Sequence, residues 1–208
     1  MVERGNSMSK KKGIAVAVVL LLVLIIGGML AYFTDTDTKQ NVFTIGQAVN
    51  IAVNEAIWVP ANGQGIHPGT VVAKDPKIVN ESTTTPAYVF MKVTVPCYQK
   101  GSSVDTELFS YTVNSGWTQI SASSIDQTSK TKTYVYAYGT STAMTTLAKN
   151  ATTPALFNNV KMDETLTAAQ AATAPATPNI DIKGYGIQVD GLGDNDTPTE
   201  IFALFGNV

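Results

Sequence analysis

Few residues in this 208-residue chain could perform catalysis. It contains one histidine, His67, and one cysteine, Cys97. A zinc protease of the zincin type needs two histidines one helical turn apart with a glutamate between them. His67 lies in the loop sequence GQGIHPG, where glycine and proline oppose a helix. No serine lies in a G-x-S-x-G motif, which would present it as a nucleophile. We therefore predict no catalytic residue and expect that the chain is not an enzyme.

Carboxylates that could bind a cation cluster near the C-terminus. Asp190, Asp194 and Asp196 in DGLGDND could direct oxygen ligands at calcium, although the EF-hand spacing is absent. Turn and helix-cap roles would explain the same aspartates. They are the calcium candidates of the sequence, and we otherwise expect no metal and no cofactor.

The lone thiol limits both chemistry and stability. Cys97 directly follows an apolar run and Pro96, so we expect it to be buried and unreactive. One cysteine also excludes an intramolecular disulfide. The domain must therefore be stabilised by its core alone.

The N-terminus has the organisation of an export signal. Lysines at positions 10–12 precede an apolar run over residues 14–26, and the sequence GGMLA then supplies small residues. This order predicts a signal peptide over residues 1–31, cleaved between Ala31 and Tyr32. We accordingly expect a single mature domain over residues 32–208.

A retained membrane anchor is the alternative to cleavage. Residues 13–33 approach the length of about 20 residues that crosses a bilayer as a helix. Gly27 and Gly28 break this run, and no basic stop-transfer cluster follows it, so the sequence favours cleavage. Cleavage would remove four basic residues and one acidic residue, changing the formal charge from −2 to −5. No basic patch would remain to bind nucleic acid.

Period-two alternation dominates the rest of the chain. Residues 87–95, AYVFMKVTV, place valines and a methionine on one face, and we expect this strand to end at Pro96. Residues 180–189 predict the last core strand, with Ile180, Ile182, Ile187 and Val189 as its core residues. Short helices are expected in the alanine-rich stretch before Pro175 and after a cap at Asp196 or Thr197. The pattern predicts an all-β fold, a jelly-roll-like β-sandwich with short helical insertions after the N-terminal signal-peptide helix.

Several segments in this order resemble a known family. They are GGMLAYFTDTDTKQNVFTIGQAVNIAV at residues 27–53, the triplet Lys74-Asp75-Pro76, AYVFMKVTVP at 87–96 and GYGIQVDG at 184–191. Together they resemble the TasA/camelysin family of exported proteins of Gram-positive bacteria. The resemblance implies a jelly-roll matrix protein, processed by a dedicated SipW-type signal peptidase, that assembles into extracellular fibres of a biofilm.

The resemblance also implies how such fibres form. The mature N-terminal segment of one subunit would enter the sheet of the next as a donor strand, which main-chain hydrogen bonds and alternating side chains would hold. We place the donor strand in residues 32–46. The residues to which we assign the donor role are Tyr32, Phe33, Thr34, Thr36, Thr38, Val42 and Phe43.

Partners and location follow from the same hypothesis. We expect a head-to-tail homopolymer, secreted into the matrix or held at the cell surface, with an accessory matrix protein as a possible additional partner. Three alternatives stay open. The segment could be an ordinary first strand of its own sandwich, the chain could be a membrane-anchored binding module, or it could be a secreted camelysin-like metalloprotease.

Overall fold

Ten strands and two short helices follow one another in the computed structural model, which describes residues 49–206. The strands are β1 (Ile51–Asn54), β2 (Val71–Ala73), β3 (Lys77–Asn80), β4 (Ala87–Gln99), β5 (Val104–Glu107), β6 (Phe109–Ser110), β7 (Trp117–Ala122), β8 (Thr131–Tyr138), β9 (Asn159–Met162) and β10 (Asp181–Gln188). The helices are α1 (Ala168–Ala171) and α2 (Pro198–Ala203), and Pro60–Gly63 forms a 3-10 turn. This confirms the predicted all-β fold class, a sandwich with short helical insertions.

The main sheet has the strand order β10-β4-β8-β7, and every neighbouring pair is antiparallel. Strand β5 pairs with the last residues of β4. Val89, Met91, Val93 and Val95 of β4 are fully buried on one face, as their alternation predicts. This face of β4 forms the centre of the hydrophobic core.

The second layer is built from shorter pieces. One sheet has the order β2-β9-β6, and β1 pairs with β3. The chain between Thr152 and Leu156 runs beside β3, since Val79 bridges Thr152 and the Leu156 N–H donates to the Pro76 carbonyl at 2.8 Å. Pro76 separates β2 from β3, which agrees with the break that a proline introduces into a strand.

Pro96 does not end the long strand, contrary to the prediction. Strand β4 continues through Pro96 to Gln99. The Cys97 N–H donates towards β8, to the Lys130 carbonyl at 2.7 Å, so the backbone groups of Pro96 point to the opposite side. There the Pro96 carbonyl accepts from the Leu108 N–H at 2.8 Å. Position 96 lies between the ladder of β10, which reaches Thr94, and that of β5, which begins at Cys97. The missing N–H therefore removes no pairing between these strands.

The last strand does not present all its isoleucines to one core, which corrects the second strand prediction. Ile182 faces the main core, whereas Ile187 is buried on the outer face of the sheet. Four residues lie between Ile182 and Ile187, an even number, so the pleat places the two side chains on opposite faces. Gly184 and Gly186 occupy the inward positions between them.

Both short helices lie where the sequence predicts them, and the second begins at one of the two predicted caps, Thr197. Thr167 caps α1 and Thr197 caps α2, and each forms a capping box with the residue three positions later, Gln170 or Glu200. Phe202 of α2 packs on Phe90 of β4, with ring centroids 5.2 Å apart, and so covers part of the outer face of the main sheet.

All described residues belong to one compact unit. No helix among residues 49–206 is both long enough and apolar enough to span a membrane. The predicted signal peptide, the boundary between residues 31 and 32, and the predicted donor strand lie outside the described residues.

Candidate functional site

The outer edge of β10 is the longest strand edge that no described strand covers. Strand β10 pairs with β4 along all eight residues, and within residues 49–206 no strand pairs with its other side. The opposite edge of the main sheet, β7, has six residues and an irregular register after Gln119. A regular edge with which no other strand pairs can accept a further strand through main-chain hydrogen bonds. The outer edge of β10 is therefore the candidate assembly site.

Two glycines let the second layer approach this edge closely. A Cβ at Gly184 would lie 2.8 Å from Val53 Cγ2, and one at Gly186 would lie 2.9 Å from Ile51 Cγ2. Real Cβ atoms do not come so close, so β1 can pack here only because both positions are glycine. Among the described strands, β1 pairs only with β3, so it contacts β10 through side chains rather than through a ladder.

The predicted donor segment, residues 32–46, is separated from β1 by residues 47–50. Tyr32, Phe33, Thr34, Thr36, Thr38, Val42 and Phe43 lie outside the described residues, as do Ala31 and the cleavage site. The description begins at Val49, and a Cβ at Gly186 would lie 3.1 Å from Val49 Cγ1. The structure thus brings the chain that follows the segment to the side of β10. It does not describe the segment itself.

A buried charge cluster lies where β2 passes into β3. The Lys74 ammonium is 2.7 Å from Glu55 Oε1 and 4.7 Å from the centre of the Trp58 ring. Next to it, Asp75 accepts from the Ile57 N–H at 2.8 Å and pairs with Lys77 at 3.0 Å. Lys74 and Asp75 are only 6% and 1% exposed.

The pKa of the Asp75 carboxyl lies below its ordinary value. Burial acts to raise this pKa, but the Ile57 N–H and the Lys77 ammonium stabilise the charged form and outweigh burial. The sequence pattern singled out the Lys74-Asp75-Pro76 triplet but not its partners Glu55 and Trp58. The sequence signal for a buried charge cluster was weak. It consisted of a lysine and an aspartate directly before a proline in a predicted strand.

His67 and Cys97, the two side chains best suited to catalysis by type, are not arranged for it. His67 is exposed and opens a turn in which the Thr70 N–H donates to its carbonyl at 2.9 Å. Cys97 is fully buried, and burial together with the Glu107 carboxylate raises the pKa of its thiol to about 11. Such a thiol carries almost no thiolate at neutral pH.

The acidic loop between β10 and α2 leads into the start of α2. Asp190, Asp194 and Asp196 are exposed. The Asp196 N–H donates to Glu200 Oε2 at 3.3 Å, as part of the start of α2. Over residues 49–206, no group of three or more His, Cys, Asp or Glu side chains has an arrangement that could bind a metal ion. The three calcium candidates are therefore not brought together as a site.

Comparison with known proteins identifies the family. No curated protein and no solved structure matches the chain. The sequence model of the family described as camelysin metallo-endopeptidase matches residues 7–114, just over half of the chain. This match includes the basic and apolar N-terminus, β1, the Lys74-Asp75-Pro76 cluster and the whole of β4. The chain belongs to the camelysin metallo-endopeptidase family.

Proposed function

We propose that this chain is an exported structural subunit that polymerises into extracellular or cell-surface fibres. Its mature N-terminal segment, residues 32–46, would add as a donor strand to the sheet of the next subunit. The observation that carries the proposal is the outer edge of the eight-residue strand β10, with which no strand between residues 49 and 206 pairs. The family membership and the alternating sequence of the segment support it.

The edge has the properties that strand addition needs. Eight residues extend over about 26 Å at roughly 3.3 Å per residue, enough to bind half of the fifteen-residue donor segment. On the outer face, Lys183 and Asp181 are exposed. The threonines of the donor could lie beside them, while the backbone supplies the hydrogen bonds.

A contact of this kind joins the N-terminus of one copy to the sheet of another. It is heterologous, so it generates an open filament instead of a closed ring. Cleavage after Ala31 would free the segment and so act as the switch for assembly. A dedicated signal peptidase is the partner proposed for this step, and an accessory matrix protein is a further proposed partner.

The family description raises the possibility of a metal-dependent protease, and the residues do not fit it. A catalytic zinc site uses three protein ligands, commonly histidines. The whole chain has one histidine, and His67 lies in an exposed turn. The part of the chain that the structure describes contains no ligand cluster around it. We therefore derive no proteolytic step for these residues.

Variants of the donor segment test the proposal. Thr36→Pro removes an N–H and blocks a ladder, whereas the matched control Thr36→Ser keeps the backbone donor. We expect fibres by electron microscopy from wild type and Thr36→Ser, and few or none from Thr36→Pro. Deletion of residues 32–39 behind a foreign signal peptide should also abolish fibres. Normal fibres from both the proline and the deletion variants would refute strand donation.

A membrane-anchored binding module is distinguished by the N-terminus of the mature protein. Fibre assembly predicts a mature chain that begins at or near Tyr32 and is recovered as large assemblies. An anchored module predicts an intact N-terminus in the membrane fraction. N-terminal sequencing and size determination on the same sample separate these outcomes.

A further inference from the structure

An apolar cleft of about 480 Å³ opens between the two layers, next to Ile180, the residue before β10. It is lined by Trp58, Ile66, Val72, Phe109, Val160 and Ile180. Four of these side chains, those of Val72, Phe109, Val160 and Ile180, belong to the main core. The cleft therefore leads from the surface of the protein to side chains of its main core.

Its size and lining are those of a small-molecule site. Ligand pockets typically have volumes of roughly 300–1,000 Å³, with mainly apolar walls and a few polar groups. The charged side chain in the wall is Lys74, which is almost buried. Because the Lys74 ammonium is 2.7 Å from Glu55, the local charge is balanced. Charge complementarity therefore selects a neutral ligand over an anion.

One wall of the cleft is weakly attached. Residues 175–178, Pro-Ala-Thr-Pro, make no hydrogen bond to any other residue between 49 and 206. Ala176 and Pro178 also line a second cleft, of about 510 Å³, on the side of Leu108 and Leu166. The segment thus crosses an apolar surface with space on both sides. It can shift to admit a ligand without breaking a hydrogen bond.

We propose that this cleft binds a neutral, predominantly apolar small molecule, against Trp58 and the side chains of Val72 and Val160. Trp58 is held in place by the Lys74 ammonium, 4.7 Å from its ring centre. Gly63 also lies close to Trp58, since a Cβ at position 63 would be 2.9 Å from the ring. The aromatic wall is therefore preorganised. No residue of β10 itself lines the cleft, so this site does not depend on fibre assembly.

Two neighbouring valines of β2 give a matched test. Val72 is 5% exposed and lines the cleft, whereas Val71 is 57% exposed. Val72→Phe places extra ring atoms in the cleft, and Val71→Phe adds the same ring to the surface. The probe is the neutral dye N-phenyl-1-naphthylamine, titrated into the full chain, with its fluorescence as the readout.

We expect saturable binding to wild type and to Val71→Phe, and an affinity about tenfold lower for Val72→Phe. Circular dichroism checks that each variant is folded. If Val72→Phe does not fold, Ala176→Trp on the exposed segment fills the cleft from its other wall and should weaken binding in the same way. Absence of saturable binding to wild type, or equal affinity in the folded cleft variant, overturns the proposal.

Discussion

Val53 on β1 lies against Gly184 on β10, so closely that a Cβ at position 184 would be 2.8 Å from Val53 Cγ2. This contact joins the edges of the two layers without a hydrogen-bonded ladder. It keeps β1, the first described strand, beside the edge that we propose to accept a donor. The stability of the contact therefore affects both the fold and the candidate assembly site.

Gly184→Ala should destabilise the protein because the added methyl group would overlap Val53. We expect a loss of about 1–3 kcal/mol in the free energy of unfolding, measured by urea titration. Val53→Ala removes the overlapping atom, so the double variant should lose less than the sum of the two single variants. Strict additivity would contradict this packing.

Asn80→Ala should be among the more destabilising single substitutions. The Asn80 side chain is fully buried and donates to the carbonyls of Thr85, Leu147 and Ala148 at 3.0, 3.1 and 3.3 Å. Removal leaves buried acceptors without this donor, so we expect a loss of about 3 kcal/mol in unfolding free energy. Asn62→Ala, at an exposed position, is the control and should change it by less than about 0.5 kcal/mol. Equal effects would show that Asn80 has no special role.

The thiol of Cys97 should react only after unfolding. Full burial excludes reagents, and a pKa of about 11 keeps the sulfur protonated. Iodoacetamide at neutral pH should leave the native protein unmodified by mass spectrometry and should label it completely in urea. A cysteine introduced at the exposed position 183 in a Cys97→Ala background should react under native conditions. Fast labelling of native Cys97 would mean that β4 is open there.

The free energy of unfolding should fall at acid pH as the Asp75 carboxylate becomes protonated. Its folded-state pKa is lower than the ordinary 3.8, so the stabilisation by its charged form is complete above that value. The contribution is lost as the pH falls through the lower, folded-state pKa. The difference in unfolding free energy between wild type and Asp75→Asn should therefore be constant near neutral pH and shrink below 3.8. A difference independent of pH would contradict a charged Asp75.

Strand alternation predicted the sandwich and the inner face of β4, because a strand with one face on the core carries apolar side chains at every second position. It failed at Pro96, where position 96 falls between two partner ladders, a tertiary fact that local sequence does not contain. It also failed at Ile187, which α2 buries on the opposite face. The helix cap at Thr197 could be predicted because capping is local.

Less of the candidate assembly site than of the fold could be predicted from the sequence. The donor segment could be proposed from its alternation and position, but its acceptor could not. Which strand is left uncovered depends on strand order, and strand order is set by long-range pairing. The glycines Gly184 and Gly186 hinted at a close approach without naming β1 as the partner.

Disulfide trapping between two differently labelled copies tests strand donation most directly. In a Cys97→Ala background, one copy carries Thr36→Cys in the donor segment and the other carries Lys183→Cys on the exposed side of β10. The threonines at 34 and 38 provide neighbouring registers. We predict that oxidised mixtures form a disulfide between the two variants, and that a chain with both cysteines gives covalent ladders. No disulfide between copies in any register, with a cross-link only inside the doubly substituted chain, would show that the segment is an ordinary strand of its own sandwich.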